Sequence, residues 1–265
     1  MTKTKVDSQK YIFVLRLIVI FGVLGLWQLA ANLKWINPFF ASSPHEITQR
    51  FIEIMSVSSI WKHIGITLYE ALVGFFLGST SGIFVGLLLA RFSVLNRVIG
   101  PIIMMFNSLP RIALVSLFVL WFGIGVSSKI ALVWSLVVFT MIVNTYGGAT
   151  NIDKDLLVMT RLLGATQQQM MLKLVLPSSI PWIFAGLRLS AAHALTGAIV
   201  GEMIVAQSGL GFLISSSSAT YDTGSVMAVL VIVAVLATIL NWSSERLERR
   251  LLQVPVNKQS SSWGL

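Results

Sequence analysis

Residues 150–179 carry the clearest structural signal in the chain and read TNIDKDLLVMTRLLGATQQQMMLKLVLPSS. The segment predicts two short helices with a break at Gly164, because glycine commonly ends a helix. Asp153 and Asp155 near the start of the first helix, and Lys173 near the end of the second, suit the helix dipole. The segment is therefore predicted to be a compact, mostly helical loop, which is either a rigid docking knob for a partner or a plain connector.

The sequence on both sides of this loop is strongly apolar. Hydrophobic residues make up 55% of the 265 positions and charged residues 11%, whereas soluble domains usually carry about 25% charged residues. Apolar segments of roughly 20 residues, long enough to cross a ~30 Å hydrocarbon layer, recur along the chain. Pro177 and Pro181 are predicted to end the second loop helix and to begin the next span. The fold class is therefore all-α and integral to a membrane, with about six transmembrane helices. The predicted spans are Tyr11–Ala31, Ile64–Ala90, Val98–Phe122, Ile130–Ala149, Pro181–Val205 and Ser225–Trp242.

The charge distribution orients these spans. The net charge is +9, and with the N-terminus inside, 13 of the 19 basic residues fall in cytoplasmic segments. The excess follows the positive-inside rule and is not a nucleic-acid footprint, so both termini are expected in the cytoplasm. The predicted divisions are an N-terminal tail at 1–10, a membrane domain at 11–245 with the loop at about 150–180, and a C-terminal tail at 246–265. The basic residues outside the cytoplasmic segments are Lys34, Arg50, Lys62 and Lys129 in outer loops, and Arg111 and Arg188 within spans.

The first apolar segment also has the layout of a signal peptide. Lysines precede an apolar core at Leu17–Trp27, and the small residues Ala30 and Ala31 follow it. We expect the segment to be retained as a span. Cleavage would leave five spans and would not change the orientation of the others.

Two local patterns predict how particular helices are built. Ser43-Pro44-His45-Glu46 has the spacing of a capping box with proline at the first helical position, and an apolar face follows it. This pattern predicts an amphipathic helix on the outer membrane surface. The second span carries a small residue at every fourth position, which lets another helix approach closely. The stripe consists of Gly74, Gly78, Gly82, Gly86 and Ala90.

The loop and its flanks resemble the coupling loop of binding-protein-dependent ABC importer permeases. The resemblance rests on Gly164-Ala165-Thr166, on Pro177, and on Leu187-Arg188 in the following span. Together with motifs elsewhere, these residues are similar to the branch that imports nitrate, sulfonates, taurine and related small solutes. The resemblance implies a type I ABC importer permease fold in a bacterial inner membrane, with a cytoplasmic coupling helix. The other motifs are Ser43-Pro44, Thr67-Leu68, Gly74-Phe75, Leu109-Pro110, Trp121-Phe122-Gly123-Ile124-Gly125, Glu202-Met203 and Gly209-Leu210-Gly211.

The same resemblance implies which loop residues couple to the ATPase. The family's Glu-Ala-Ala is replaced by Val158, Met159 and Thr160, so an acidic contact at the first position is lost. Glu70 stands where the family has Arg, and Ser116 where it has Pro. The spacing from glycine to proline keeps the loop geometry. The implied coupling residues are Leu162, Leu163, Gly164, Ala165, Thr166 and Pro177.

The partners also follow from the resemblance. It implies a dimer of ABC ATPase subunits that use ATP and Mg, a substrate-binding protein outside, a second permease copy in a homodimer, and surrounding lipid. The sequence has no Gly-x-x-x-x-Gly-Lys-Ser/Thr loop, so no cofactor is expected in this chain. It also has no cysteine, which excludes thiolate metal sites and cysteine catalysis. The expected solute is a small anion such as an aliphatic sulfonate, taurine or nitrate, and vitamin precursors stay open.

Polar residues within the predicted spans are candidates for the translocation path, because ionisable groups are costly in a membrane. We predict that Arg111 and His193 line the path and favour an anion, with Asn107 as a neutral donor one turn before Arg111. At about 13 residues into its span, Arg111 would lie near the middle of the membrane. The alternative is that Arg111 snorkels or pairs with Glu70 in a structural contact.

A second group lies near the outer end of the fifth span. Glu202 comes shortly before Gly209 and Gly211, which predict a turn. These residues are candidates for an outer gate or a contact with the binding protein. The alternative is a hydrogen bond from Glu202 that fixes the turn. Arg188, near the inner end of the same span, is expected to snorkel.

Two other functions are considered. A serine hydrolase would need a serine close to His193 and an oxyanion hole, and no motif supports one. An ATPase-independent secondary transporter or channel is the main alternative, although no internal repeat supports it.

Overall fold

The computed structural model describes residues 3–35 and 41–252, and these form helices joined by short connections. Residues 253–265, most of the predicted C-terminal tail, lie outside the described part. The helices are α1 (Lys3–Asn32), α2 (Pro44–Ser56), α3 (Ser59–Arg91), α4 (Ser93–Asn107), α5 (Val115–Phe122), α6 (Val126–Thr150), α7 (Lys154–Leu162), α8 (Gln167–Met170), α9 (Leu176–Val205), α10 (Leu210–Ala219) and α11 (Thr223–Leu252).

Among the described residues, five helices are long and apolar enough to cross a membrane. They are α1 from Tyr11, α3, α6, Gln167–Val205 and α11 up to Arg250. The count reaches the predicted six if α4 and the helical segment Arg111–Phe122 together form one span. These two helices are bent by 87° at the break between them. The third predicted span is therefore not one straight helix, and the depth of Arg111 does not follow from counting residues along such a helix.

The break follows from Pro110. Proline has no N–H for a helical hydrogen bond and disfavours helical geometry in the residue before it. Pro110 has an extended backbone, with φ −69° and ψ 92°. A short 3₁₀ helix at Arg111–Leu114 then leads into α5. Arg111 is consequently the first residue after the bend.

The glycine stripe on α3 lets α6 pack against it backbone to backbone. A Cβ at Gly74 or Gly78 would lie 2.5 Å or 2.7 Å from the Cβ atoms of Val133 or Val137. At Gly82 it would lie 2.7 Å from the carbonyl oxygen of Val138. The prediction of close helix approach is confirmed. The buried core at this contact and at the adjoining α9 consists of Ala71, Val133, Val137, Met141, Ala194 and Ala198.

The loop after α6 begins as predicted and then differs. α7 starts at an Asp153 cap, whose side chain accepts a hydrogen bond from the Asp155 N–H, and the chain turns at Gly164 with φ +76°. Thr166 and Gln169 form a reciprocal capping box at the start of α8. From Gln167 the helix runs without interruption to Val205. The predicted stop at Pro177 and Pro181 is therefore wrong.

A π-helical turn at Met171–Val175 explains how the helix passes Pro177. Pro177 cannot donate to the carbonyl of Lys173, and in a regular α-helix its ring would clash with that carbonyl. The wider π turn just before the proline changes the local pairing of carbonyls and N–H groups. The second helix of the loop and the next span are consequently one continuous element.

The described residues up to 62, together with 213–233, form one compact unit, and residues 63–212 with 234–252 form another. In the first unit, α2 is capped by Ser43, which accepts a hydrogen bond from the Glu46 N–H at 3.2 Å. The Arg50 guanidinium lies 3.0 Å from Glu53. Burial opposes ionisation of Asp222, but hydrogen bonds from Ser225 and the nearby Arg50 charge lower the pKa of Asp222 below its usual value. The predicted Ser43 cap is confirmed, whereas the Glu46 carboxylate accepts from the Ser42 hydroxyl at 2.8 Å, so one half of the predicted capping box is found among the described contacts.

Candidate translocation site

The guanidinium of Arg111 folds back over the bend between α4 and α5. It donates to the Asn107 carbonyl at 3.1 Å and also to the Asn107 side-chain oxygen. It further donates to the Leu136 carbonyl at 3.4 Å and lies over the Phe139 ring, 4.6 Å from its centroid. Arg111 and Asn107, predicted as neighbours on one helix, are thus neighbours across a helix break.

His193 reaches the same place from α9. Its Nδ1 lies 3.2 Å from the Thr140 hydroxyl on α6. The Asn144 amide, one turn further along α6, donates to the Thr140 carbonyl at 2.8 Å. Asn107, Arg111 and His193 therefore line one cavity of about 450 Å³, together with Thr140 and Asn144. The remaining lining residues are Leu109, Pro110, Ile112, Leu136, Phe139, Val143 and Leu189.

The chemistry of this cavity suits an anion. None of its lining residues is acidic, and among the described residues Arg111 forms no ion pair. The Arg111 Nε is buried with no hydrogen-bond partner in the described part of the chain. A guanidinium presents several donors in a planar fork that matches oxyanions. The cavity therefore offers a cation and neutral polar groups to a small ligand, in a mostly apolar wall.

Two polar residues of this cavity, Thr140 and Asn144, were not among the predicted site residues. They lie four residues apart on α6, so they share one face of an otherwise apolar helix. That spacing is the signal in the sequence that could have identified them.

Glu70 does not pair with Arg111, so that alternative is wrong. Its carboxylate lies 2.6 Å from the ammonium of Lys129. Both side chains are buried, Glu70 fully and Lys129 with 6% of its side-chain surface exposed. Lys129 was expected in an outer loop, and it lies instead in the first turn of α6.

Glu202 makes the hydrogen bonds that fix the turn before α10. Its carboxylate is 1% exposed, and it accepts from the Thr67 hydroxyl at 2.7 Å and from the Gly211 N–H at 2.8 Å. Thr67 in turn accepts from the Leu210 N–H at 2.9 Å. Of the two interpretations of Glu202, the turn-fixing hydrogen bond is therefore present in the structure.

The two glycines of this turn are required by their surroundings. Gly209 has φ +111°, and its N–H donates to Nδ1 of His63 at 2.9 Å. A Cβ on Gly209 or on Gly211 would overlap Glu202. The turn is thus held against α3 by His63 and Thr67, of which Thr67 was noted only as part of a family motif and neither was predicted as a site residue.

Five of the six predicted coupling residues, at 162–166, form a largely exposed corner between α7 and α8, the coupling corner. Leu162 and Leu163 have 82% and 84% of their surface exposed, which is unusual for adjacent leucines outside the apolar spans. Gly164 supplies the turn, and Thr166 caps the next helix. The Arg91 guanidinium at the end of α3 donates to the Gln167 side-chain oxygen at 2.5 Å. This bond ties the corner to the membrane helices, whereas Pro177 lies further along, inside the continuous helix.

Comparison with known proteins identifies relatives over most of the chain. Residues 82–253 match the family described as "Binding-protein-dependent transport system inner membrane component". The chain is 30% identical to the putative aliphatic sulfonates transport permease protein SsuC of Bacillus subtilis, over 87% of this chain and 84% of the relative. It is 27% identical to the taurine transport system permease protein TauC of Escherichia coli, over 86% and 85%. It is 32% identical to the formylaminopyrimidine transport permease protein ThiX of Halalkalibacterium halodurans, over 87% and 91%.

Solved structures share the fold. The inward-facing MetNI methionine ABC transporter matches with a TM-score of 0.65 at 22% identity, over 74% of this chain and 98% of that one. A bacterial alginate ABC transporter, solved with an alginate pentasaccharide-bound periplasmic protein, matches with a TM-score of 0.62 at 16% identity, over 96% and 98%. The fold is thus that of type I ABC importer permeases. The family works with an ATPase, which uses ATP, and with a substrate-binding protein. The chain therefore belongs to the binding-protein-dependent inner-membrane transport components, and it is the permease subunit of an ABC importer.

Proposed function

We propose that this permease carries a small anion, with an aliphatic sulfonate or taurine ahead of nitrate, through the cavity around Arg111. The observation that carries the proposal is the donor set of Asn107, Arg111 and His193 around one cavity with no acidic lining residue. An oxyanion would accept from the guanidinium in the charge-assisted geometry that arginine favours. The apolar lining residues, such as Ile112 and Leu189, would contact an alkyl chain.

The names of the relatives support an anionic substrate but do not decide between substrate classes. Two of the three are named for aliphatic sulfonates and for taurine, which share a sulfonate group. The third is named for formylaminopyrimidine, which carries no such group. Arg111 favours the first class, because a half-buried guanidinium whose buried Nε has no partner among the described residues gains most from a negatively charged ligand.

The assembly that we propose has two copies of this chain, two ATPase subunits on the cytoplasmic side and one binding protein outside. Both termini lie in the cytoplasm, and the membrane domain covers about 11–245. ATP and Mg bind only in the ATPase subunits. The exposed Leu162 and Leu163, with Gly164, Ala165 and Thr166, dock into the ATPase, and Pro177 belongs to the helix that carries the motion into the membrane. Glu202, Gly209 and Gly211 maintain the outer end of the path.

The transport cycle follows from this arrangement. When the ATPase subunits close around ATP, the two coupling corners approach each other, and the path opens outward to receive the solute. The anion then loses part of its hydration shell and binds to the Arg111 guanidinium. Hydrolysis separates the ATPase subunits and opens the path inward. Binding at Arg111 must be strong enough to accept the anion and weak enough to release it.

The test of the anion path is uptake by the full transporter in proteoliposomes, supplied with its loaded binding protein. Arg111→Gln should lower sulfonate uptake roughly tenfold or more, because a hydrogen bond to a charged group is lost. Arg250→Gln, which removes the same charge from the end of α11, is the control and should keep normal uptake. Normal uptake by Arg111→Gln would disprove the anion path. If the native binding protein is found to carry a neutral pyrimidine, the substrate class is instead the one for which ThiX is named.

A further inference from the structure

A second cavity of about 440 Å³ lies beside the first, between α4 and α6. Val143 lines both cavities, so they adjoin along the same groove. The polar side chains of the second cavity are Asn96, Arg97 and Tyr146. None of its lining residues is acidic.

The position of this cavity is toward the coupling corner. Its polar residues lie near the start of α4, which follows directly after Arg91, and near the end of α6, which leads into α7. Arg91 itself contacts Gln167 of the coupling corner. The second cavity is thus situated between the Arg111 cavity and the end of the bundle that carries the coupling segment.

The polar groups of the second cavity are arranged as donors. The Asn96 amide donates to the Tyr146 hydroxyl oxygen at 2.7 Å, which leaves the Tyr146 O–H available to donate elsewhere. Gly100 makes room for this amide, because a Cβ there would lie 2.8 Å from the Asn96 side-chain oxygen. Among the described residues Arg97 forms no ion pair. The exposed guanidinium of Arg97 and the half-buried side chains of Asn96 and Tyr146 therefore line an open cavity that has no acidic lining residue.

We propose that Arg97, Asn96 and Tyr146 form a second anion station, which receives the oxyanion after it leaves Arg111 and before it enters the cytoplasm. This inference rests on the proposed anion path. The half-buried Arg111 guanidinium would retain an anion in its mostly apolar cavity, and a second cationic site close by lowers the barrier to the departure of that anion. Conduction through several moderate sites is the general solution to this problem. Arg97 and Tyr146 then determine the rate of release and not the affinity for the solute.

A cytoplasmic arginine is also expected from membrane topology alone, so the variants must separate these roles. Arg97→Lys keeps the charge that topology needs and loses the planar fork. Tyr146→Phe keeps the ring and the charge balance and loses one donor. Arg250→Lys and Tyr69→Phe are the matched controls, because neither residue lines either cavity.

The experiment measures sulfonate uptake and ATPase stimulation by loaded binding protein, in the same proteoliposomes. We expect Arg97→Lys and Tyr146→Phe to lower uptake about fivefold to tenfold, while ATPase stimulation stays within a factor of two of the parent. A purely structural defect would lower both quantities together and would overturn the proposal, as would normal uptake by both variants. Arg111→Gln is run in parallel. If uptake falls in Arg111→Gln but stays normal in Arg97→Lys and Tyr146→Phe, the second station is disproved and the anion path stands. If uptake stays normal in all three variants, both proposals are disproved.

Discussion

Lys129 and Glu70 show how the burial of a charged side chain can be misjudged from the sequence. Lys129 comes directly before an apolar run and resembles a loop residue that faces water. In the structure its ammonium is buried against Glu70 and also lies within electrostatic reach of Glu202. Lys129 is therefore the ion-pair partner of the buried Glu70 on α3, and its charge also acts on the buried Glu202 on α9. No local pattern predicts this pairing, because the three residues come from separate helices.

This sharing predicts an unequal response to substitution. Lys129→Met should destabilise the permease by about 3–5 kcal/mol, because it leaves two buried carboxylates without a counter-charge. Glu70→Gln should cost less, because the charge of Glu202 still acts on Lys129, although the two form no ion pair. The measurement is the temperature at which half of the purified transporter loses its monodisperse peak in size-exclusion chromatography. Equal losses from the two variants would contradict a shared cation.

At the scale of elements, the contact between α3 and α6 depends on the absence of side chains. Gly82→Ala places a Cβ 2.7 Å from the Val138 carbonyl oxygen, a backbone atom that cannot rotate away. The helices must separate, so we expect a loss of about 1–3 kcal/mol in stability. Gly65→Ala on the same helix is the control, because its Cβ meets nothing within 4 Å. The same heating assay should rank Gly82→Ala below Gly65→Ala, and the reverse order would refute the packing argument.

Two helices differ from the sequence-based expectation, and in both the difference lies at a proline. Pro110 was expected within a span, and it bends the chain by 87° between two helices. Pro177 was expected to end a helix, and the helix continues through it after a π turn. Hydropathy does not distinguish these cases, because both prolines are flanked by apolar residues. The two prolines differ in whether the preceding helical turn can find other N–H donors for the carbonyl groups that proline leaves unbonded. That in turn depends on how the helix is packed.

At the scale of the molecule, the spans and the loop could be predicted because apolar length and loop motifs are local properties. The candidate cavity was predicted only in part. Arg111 and His193 were selected because charged and titratable groups are rare within spans. Thr140 and Asn144 were missed because neither is ionisable, and only their four-residue spacing on α6 indicates a shared polar face. The meeting of α4, α6 and α9 around one cavity depends on the bend at Pro110, which brings Arg111 beside α6.

The coupling corner supplies the last prediction for the whole assembly. Leu162 and Leu163 are 82% and 84% exposed at a turn that Arg91 ties to α3, so their apolar surface is available to a partner. Replacing both with Asp should abolish recovery of the ATPase subunits with the tagged permease, because two charges would be buried at the interface. Replacing both with Met keeps the apolar surface and is the matched control. Co-purification from mild detergent measures the outcome, with the melting behaviour of the permease as a check on its fold. If the Asp variant folds and still recovers the ATPase in full, the corner is a connector and coupling must pass through another cytoplasmic surface.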